Sequence, residues 1–131
     1  MSGNNLVHEW LKYSQNDLIS AKHLYDDLHP KQTEVACYLS QQCAEKALKG
    51  YILFMDIEPP KTHNLVELLE LCKEMDRTIS VLLPQLDVLT DYAVLPRYPN
   101  ALGITDIDMI TAIKYAKAVQ EFILKSIAMA M

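Results

Sequence analysis

Along nearly the whole chain, apolar residues recur at steps of three and four, and no stretch alternates apolar with polar residues over a strand's length. A period near 3.6 gathers such residues on one helical face, whereas a half-buried strand needs a period of two. The chain therefore has to fold as helices packed on helices. Only Gly3, Gly50 and Gly103 are available as glycines, too few for the tight hairpins of a sheet or for phosphate-cradling loops. The connections between the helical stretches are short, which favours antiparallel neighbours. The expected architecture is an all-α, up-and-down antiparallel four-helix bundle with one additional short helix, a single domain over residues 1–131.

The first helix is expected from about Asn5 to Leu28, with Val7, Trp10, Leu11, Ser14, Leu18, Ala21, Tyr25 and Leu28 inward. Pro30 ends it by pushing His29 out of helical geometry. The second should run from about Thr33 to Met55. One face carries Ala36, Leu39, Cys43, Ala47, Gly50 and Phe54, mostly small residues that admit a close neighbour. Gly50 costs about 1 kcal/mol against alanine in a helix interior, and close packing is the compensation. Pro59-Pro60 makes a stiff connector, and Thr62 or Asn64 caps a third helix with Leu65, Leu68, Leu69, Cys72 and Met75 inward. Ile79, Leu82, Leu86, Leu89 and Ala93 carry a fourth, in which Pro84 must occupy a first turn or a kink. Thr105 and Asp108 form a T-x-x-D cap for the last helix, whose inward face is Ala112, Tyr115, Ala116, Val119, Phe122, Ile123 and Ile127.

Composition removes several classes of function. The formal net charge is −5, against the basic surplus of proteins that bind nucleic acid by counterion release. Strong nucleic-acid binding and attraction to an anionic membrane are not expected. Cys37, Cys43 and Cys72 are odd in number and show no C-x-x-C, so buried free thiols in a reducing cytoplasm fit better than disulfides or zinc. No secretory signal and no membrane span is expected. His8, His23, His29 and His63 are not spaced as metal ligands, and the common nucleotide-loop and hydrolase motifs are missing. No metal, cofactor or catalytic residue is expected from these patterns.

Two places could carry chemistry. Tyr38, Gln41, Gln42, Glu45, Lys46 and Lys49 fall in one stripe of the second helix. That stripe reads either as a solvated face with pairs such as Glu45–Lys49 or as a polar groove for a phosphorylated ligand or partner. The other is Arg97 in the loop Leu95-Pro96-Arg97-Tyr98-Pro99-Asn100. The prolines stiffen that loop, and a guanidinium held there suits bidentate contact with phosphate or carboxylate. Alternatively Arg97 caps helix carbonyls or pairs with Asp91. His63 reads better as a partly buried residue bonded to a helix cap than as a general base. Tyr92 and Tyr98 could stack on a base or simply pack.

The run Tyr38-x-x-Gln41-Gln42-x-Ala44-Glu45-Lys46-Ala47-Leu48-Lys49 resembles the second-helix signature of the HEPN domain family. Thr62-His63-Asn64-Leu65-x-x-Leu68-Leu69 is similar to its third-helix start, and Tyr92 followed by Arg97-Tyr98-Pro99-Asn100 to the R-Y-P-[DN] loop of its small stand-alone members. Tyr115-Ala116 and Phe122-Ile123 fit its final helix. The resemblance spans nearly the whole chain in order. It implies a helical bundle that dimerises, partnered by a separate minimal nucleotidyltransferase, with a nucleotide-binding role. The ligand-binding residues it points to, with the stripe and the loop, are Tyr38, Gln42, Lys46, Lys49, His63, Arg97, Tyr98 and Asn100. Other members are metal-independent ribonucleases, often toxins, in which an arginine is followed four to six residues later by a histidine. Here positions 102 to 104 are Leu102, Gly103 and Ile104. The sequence expectation is thus a non-catalytic binding module, with a ribonuclease of displaced or degenerate site, or a purely structural interaction module, as alternatives. Asp106 and Asp108 would repel a phosphate at the start of the last helix, so the ligand should lie toward the second. The small-residue face and the apolar Ile127–Met131 tail add the expectation of a symmetric homodimer.

Overall fold

The computed structural model describes residues 2–93 and 103–131. Five α-helices run in order: α1 (Ser2–Asp26), α2 (Thr33–Phe54), α3 (Leu65–Lys73), α4 (Leu83–Leu89) and α5 (Asp106–Ala130). Two 3-10 segments, Arg77–Leu82 and Thr90–Tyr92, extend α4 at either end. Together they give one helical run from Arg77 to Tyr92, the fourth main helix, with α3 as the short one. Pro84 lies in the first turn of α4, where its missing N–H is no loss. Local chemistry sets the other boundaries as well. Asn64 Oδ1 accepts from the Val66 and Glu67 amides at 3.0 and 3.2 Å. Thr105 and Asp108 cap α5 reciprocally, Thr105 Oγ1 accepting from the Asp108 amide and Asp108 Oδ2 from the Thr105 amide.

α2 lies at the centre, packed against α1, α5, α3 and α4. The small-residue face works as its composition implies. A Cβ at Gly50 would come within 3.1 Å of Trp10 Cβ and 3.3 Å of Leu11 Cδ2, so α1 is seated directly on the glycine. The face is thereby used inside the chain, which removes it as a reason to expect a dimer. Leu48, Ile52, Leu65, Leu68, Leu69, Ile79, Leu86, Leu89, Met109 and Ile123 are fully buried, each worth about 1.5–3 kcal/mol of transfer free energy before ordering costs.

Two inward assignments fail. α1 ends at Asp26, leaving Leu28 exposed in the connection. Met75 is 59% exposed because α3 stops at Lys73 and the chain turns away. In the C-terminal tail Ile127 is buried, while Met129 and Met131 are exposed.

One polar cluster sits in the apolar interior between three helices. Ser14 Oγ of α1 donates to the Cys43 carbonyl of α2 at 2.7 Å, and Gln120 Nε2 of α5 donates to Ser14 Oγ at 3.2 Å. Each of these polar groups is satisfied, as burial requires.

Candidate functional site

The polar stripe of α2 is not a solvated face. Gln41, Glu45 and Lys49, spaced at i, i+4 and i+8, are 0, 4 and 6% exposed. They are covered because the chain after α2 folds back across it. The Gln41 amide donates to the backbone carbonyl of His63 at 3.2 Å, which fixes the return. Thr62 Oγ1 accepts from the Asn64 amide at 3.1 Å, so His63 sits between two residues engaged in local turn and cap bonds.

Glu45 is the centre of the arrangement. Its Oε1 accepts from Gln41 Nε2 at 3.1 Å, and its Oε2 from Lys49 Nζ at 3.1 Å. His63 Nδ1 lies 3.0 and 3.1 Å from the two oxygens. A second amide, Gln42 Nε2, donates to Gln41 Oε1 at 2.7 Å. A buried carboxylate is tolerable only with such a complement of donors. The cluster's solvent-facing member is His63, whose side chain is 67% exposed. The sequence expectation for His63 is corrected here: the ring is exposed and bonds Glu45, and the helix cap is Asn64.

Lys49 faces two ways. Its ammonium lies 5.9 Å from the centroid of the Trp10 ring, a cation–π distance. It also forms part of the wall of a groove of about 610 Å³ between Leu6 and Trp10 of α1, Leu53 of α2 and connector residues 56–61. Lys46 leaves the stripe altogether, pairing with Asp17 of α1 at 2.5 Å. Tyr38, half-buried, begins the stripe.

The structure thus brings Lys49, His63 and, through Gln41, Gln42 into one hydrogen-bonded group, and holds Lys46 apart. Arg97, Tyr98 and Asn100 lie outside the described residues, as does the pairing of Arg97 with Asp91. Thr90 Oγ1 accepts from the Leu65 amide at 2.9 Å, two residues beyond His63. Tyr92 is set among Cys37 of α2 and Asp108 of α5; its phenol is pushed up to about 12 by burial first, then by those neighbours. Gln41 and Glu45 lie in the stripe and belong to the site although they are not among its residues expected from sequence. Their equal i, i+4, i+8 spacing with Lys49 was the available signal.

All three thiols are buried, and burial pushes each up to about 12. On the far side, Tyr51 Oη donates to Asp76 Oδ2 at 2.7 Å. Among the described residues, no helix is long and apolar enough to cross a membrane.

The HEPN domain model matches residues 7–127. The chain belongs to the HEPN domain family. Its fold is similar to the crystal structure of an archaeal HEPN homologue, with a TM-score of 0.75, 27% identity and coverage of 92% of this chain and 97% of that one. A protein from Thermus thermophilus has the same fold at a TM-score of 0.72, with 23% identity over 91% of this chain and 96% of that one. No curated protein matches the sequence.

Proposed function

We propose that this single HEPN domain is a non-catalytic module that dimerises, binds a nucleotide or nucleotide-bearing substrate, and partners a separate nucleotidyltransferase. The observation that carries the reading is the Glu45 cluster, which holds an exposed imidazole on a buried, fully hydrogen-bonded base. Thr90, three residues before Ala93, is bonded to the Leu65 amide, two residues beyond His63. The contacts proposed are Arg97 on phosphate, Tyr98 and Asn100 beside it, and Tyr38, Gln42 and His63 from the α2 side. Lys46 and Lys49 are already paired with carboxylates, so they contribute field more than direct bonds. Titration calorimetry with ATP tests this on wild type and Arg97→Lys. Arginine's bidentate geometry is lost in the variant while its charge is kept, so binding should weaken severalfold. Equal affinity in both proteins removes Arg97 as a contact, and no heat with any nucleotide ends the reading. Light scattering across micromolar concentrations tests the dimer.

The same cluster supports one second reading, a ribonuclease with a displaced site, because a carboxylate-held imidazole is the form a general base takes. Purified protein is expected not to cut RNA above background. Cleavage abolished by His63→Ala would put the nuclease first.

A further inference from the structure

We infer that His63 receives a neutral hydrogen-bond donor of the ligand, a ribose hydroxyl or a base amino group, on its Nε2 lone pair, and that it does not grip phosphate. This rests on the nucleotide-binding reading above and narrows what part of the nucleotide meets α2.

The orientation of the ring follows from the bonds beneath it. One end of the Gln41 amide meets only acceptors, the His63 carbonyl and Glu45 Oε1, so that end must be the nitrogen, and Gln41 Oε1 is left to accept from Gln42 Nε2. Lys49 supplies a second donor to the same carboxylate. An ionised carboxylate has only acceptors to offer. In the neutral form of the ring the proton therefore lies on His63 Nδ1, at 3.0 and 3.1 Å from the two carboxylate oxygens. The other nitrogen, Nε2, is left with its lone pair. Glu45 occupies the Nδ1 edge, and the side chain is 67% exposed, so Nε2 is on the open side.

The backbone is held as firmly as the ring. The His63 carbonyl is bonded to Gln41, and Thr62 and Asn64 on either side are committed to local bonds. An acceptor already aimed loses little entropy when it meets its partner. Ionised phosphate has no proton to give such an acceptor. The sugar hydroxyls do, and so does the exocyclic amine of adenine.

The test combines calorimetry with nitrogen-15 NMR of the imidazole in the full-length protein. Four probes are titrated: ATP, 2′,3′-dideoxy-ATP, inosine triphosphate and inorganic triphosphate. Wild type should bind ATP about five- to tenfold more tightly than whichever nucleotide lacks the donor, the value of one hydrogen bond. His63→Ala should erase that preference and leave triphosphate affinity unchanged. The hydroxyl and the amine are told apart by which probe, dideoxy or inosine, loses the preference. Equal binding of all three nucleotides to wild type overturns the inference while leaving nucleotide binding intact. Weaker triphosphate binding by His63→Ala overturns it too, because the ring would then be holding phosphate. No binding of any nucleotide ends both readings. In the NMR spectrum of the free protein, a proton on Nε2 of the neutral ring would overturn the inference without any ligand.

Discussion

Gly50 faces the Cβ of Trp10 across the α1–α2 seam so closely that an added Cβ would lie 3.1 Å from it, a few tenths of an ångström inside comfortable contact. The nearest atom is the root of the tryptophan side chain, which moves only if α1 moves. Gly50→Ala gains about 1 kcal/mol of helix propensity against an overpacking cost of about 1–3 kcal/mol. The net expectation is a loss of roughly 1 kcal/mol in denaturant unfolding, with a larger loss for Gly50→Val. A neutral or more stable Gly50→Ala would show that the two helices part easily.

Glu45 and Lys49 should be more sensitive singly than together. Glu45→Leu leaves a buried ammonium without its counter-ion, Lys49→Met leaves a buried carboxylate short of a donor, and each is expected to cost about 3–5 kcal/mol. The double variant Glu45→Leu/Lys49→Met replaces the pair with apolar volume and should cost less than either single change. A thermal-unfolding cycle over the four proteins measures this, and simple additivity would count against a coupled buried pair.

Acid should weaken the contact between Tyr51 and Asp76. Burial alone would raise the Asp76 carboxyl, but the Thr78 hydroxyl, the Tyr51 hydroxyl and the Thr78 amide outweigh it and hold the group below its ordinary 3.8. A folded-state value below the unfolded one adds stability that is complete above the unfolded value. That stability disappears as pH falls through the folded one. Tyr51→Phe is therefore expected to cost about 1 kcal/mol at neutral pH. It should also flatten the decline in stability on the acid side of 3.8. An unchanged acid limb would mean that Thr78 alone sets the carboxyl.

The thiols give a readout of global opening. At about 12, only on the order of one thiol in ten thousand is ionised at pH 8, and Cys37, Cys43 and Cys72 are fully shielded. Native protein should react with a disulfide reagent only as fast as it unfolds, all three thiols together. One thiol reacting ahead of the others would locate a local opening.

Much of this fold was legible in the spacing of apolar residues, since a helical face is a local property. The Thr105–Asp108 cap, the Asn64 cap and the place of Pro84 were legible for the same reason. The burial of Gln41, Glu45 and Lys49 was not. Periodicity separates the two faces of a helix but cannot say that α2 has neighbours on both. The Glu45–His63 bond spans 18 residues and the Lys46–Asp17 bond spans 29; neither leaves a mark in a local pattern. The stripe was visible, and the direction it faced was not.

The bonds among Ser14, Cys43 and Gln120 have a consequence for transplanting parts of this protein. Hydrocarbon surfaces tolerate sliding, so a foreign amphipathic helix of equal length and greasiness could settle against α1 and α2 at several heights. Gln120 can meet Ser14 at only one of them, and one turn up or down would strand its amide in a dry interior. The glutamine acts like a notch on a key. A chimera that borrows α5 without it would be expected to stay helical yet lose the sharp amide resonances of a single packed state.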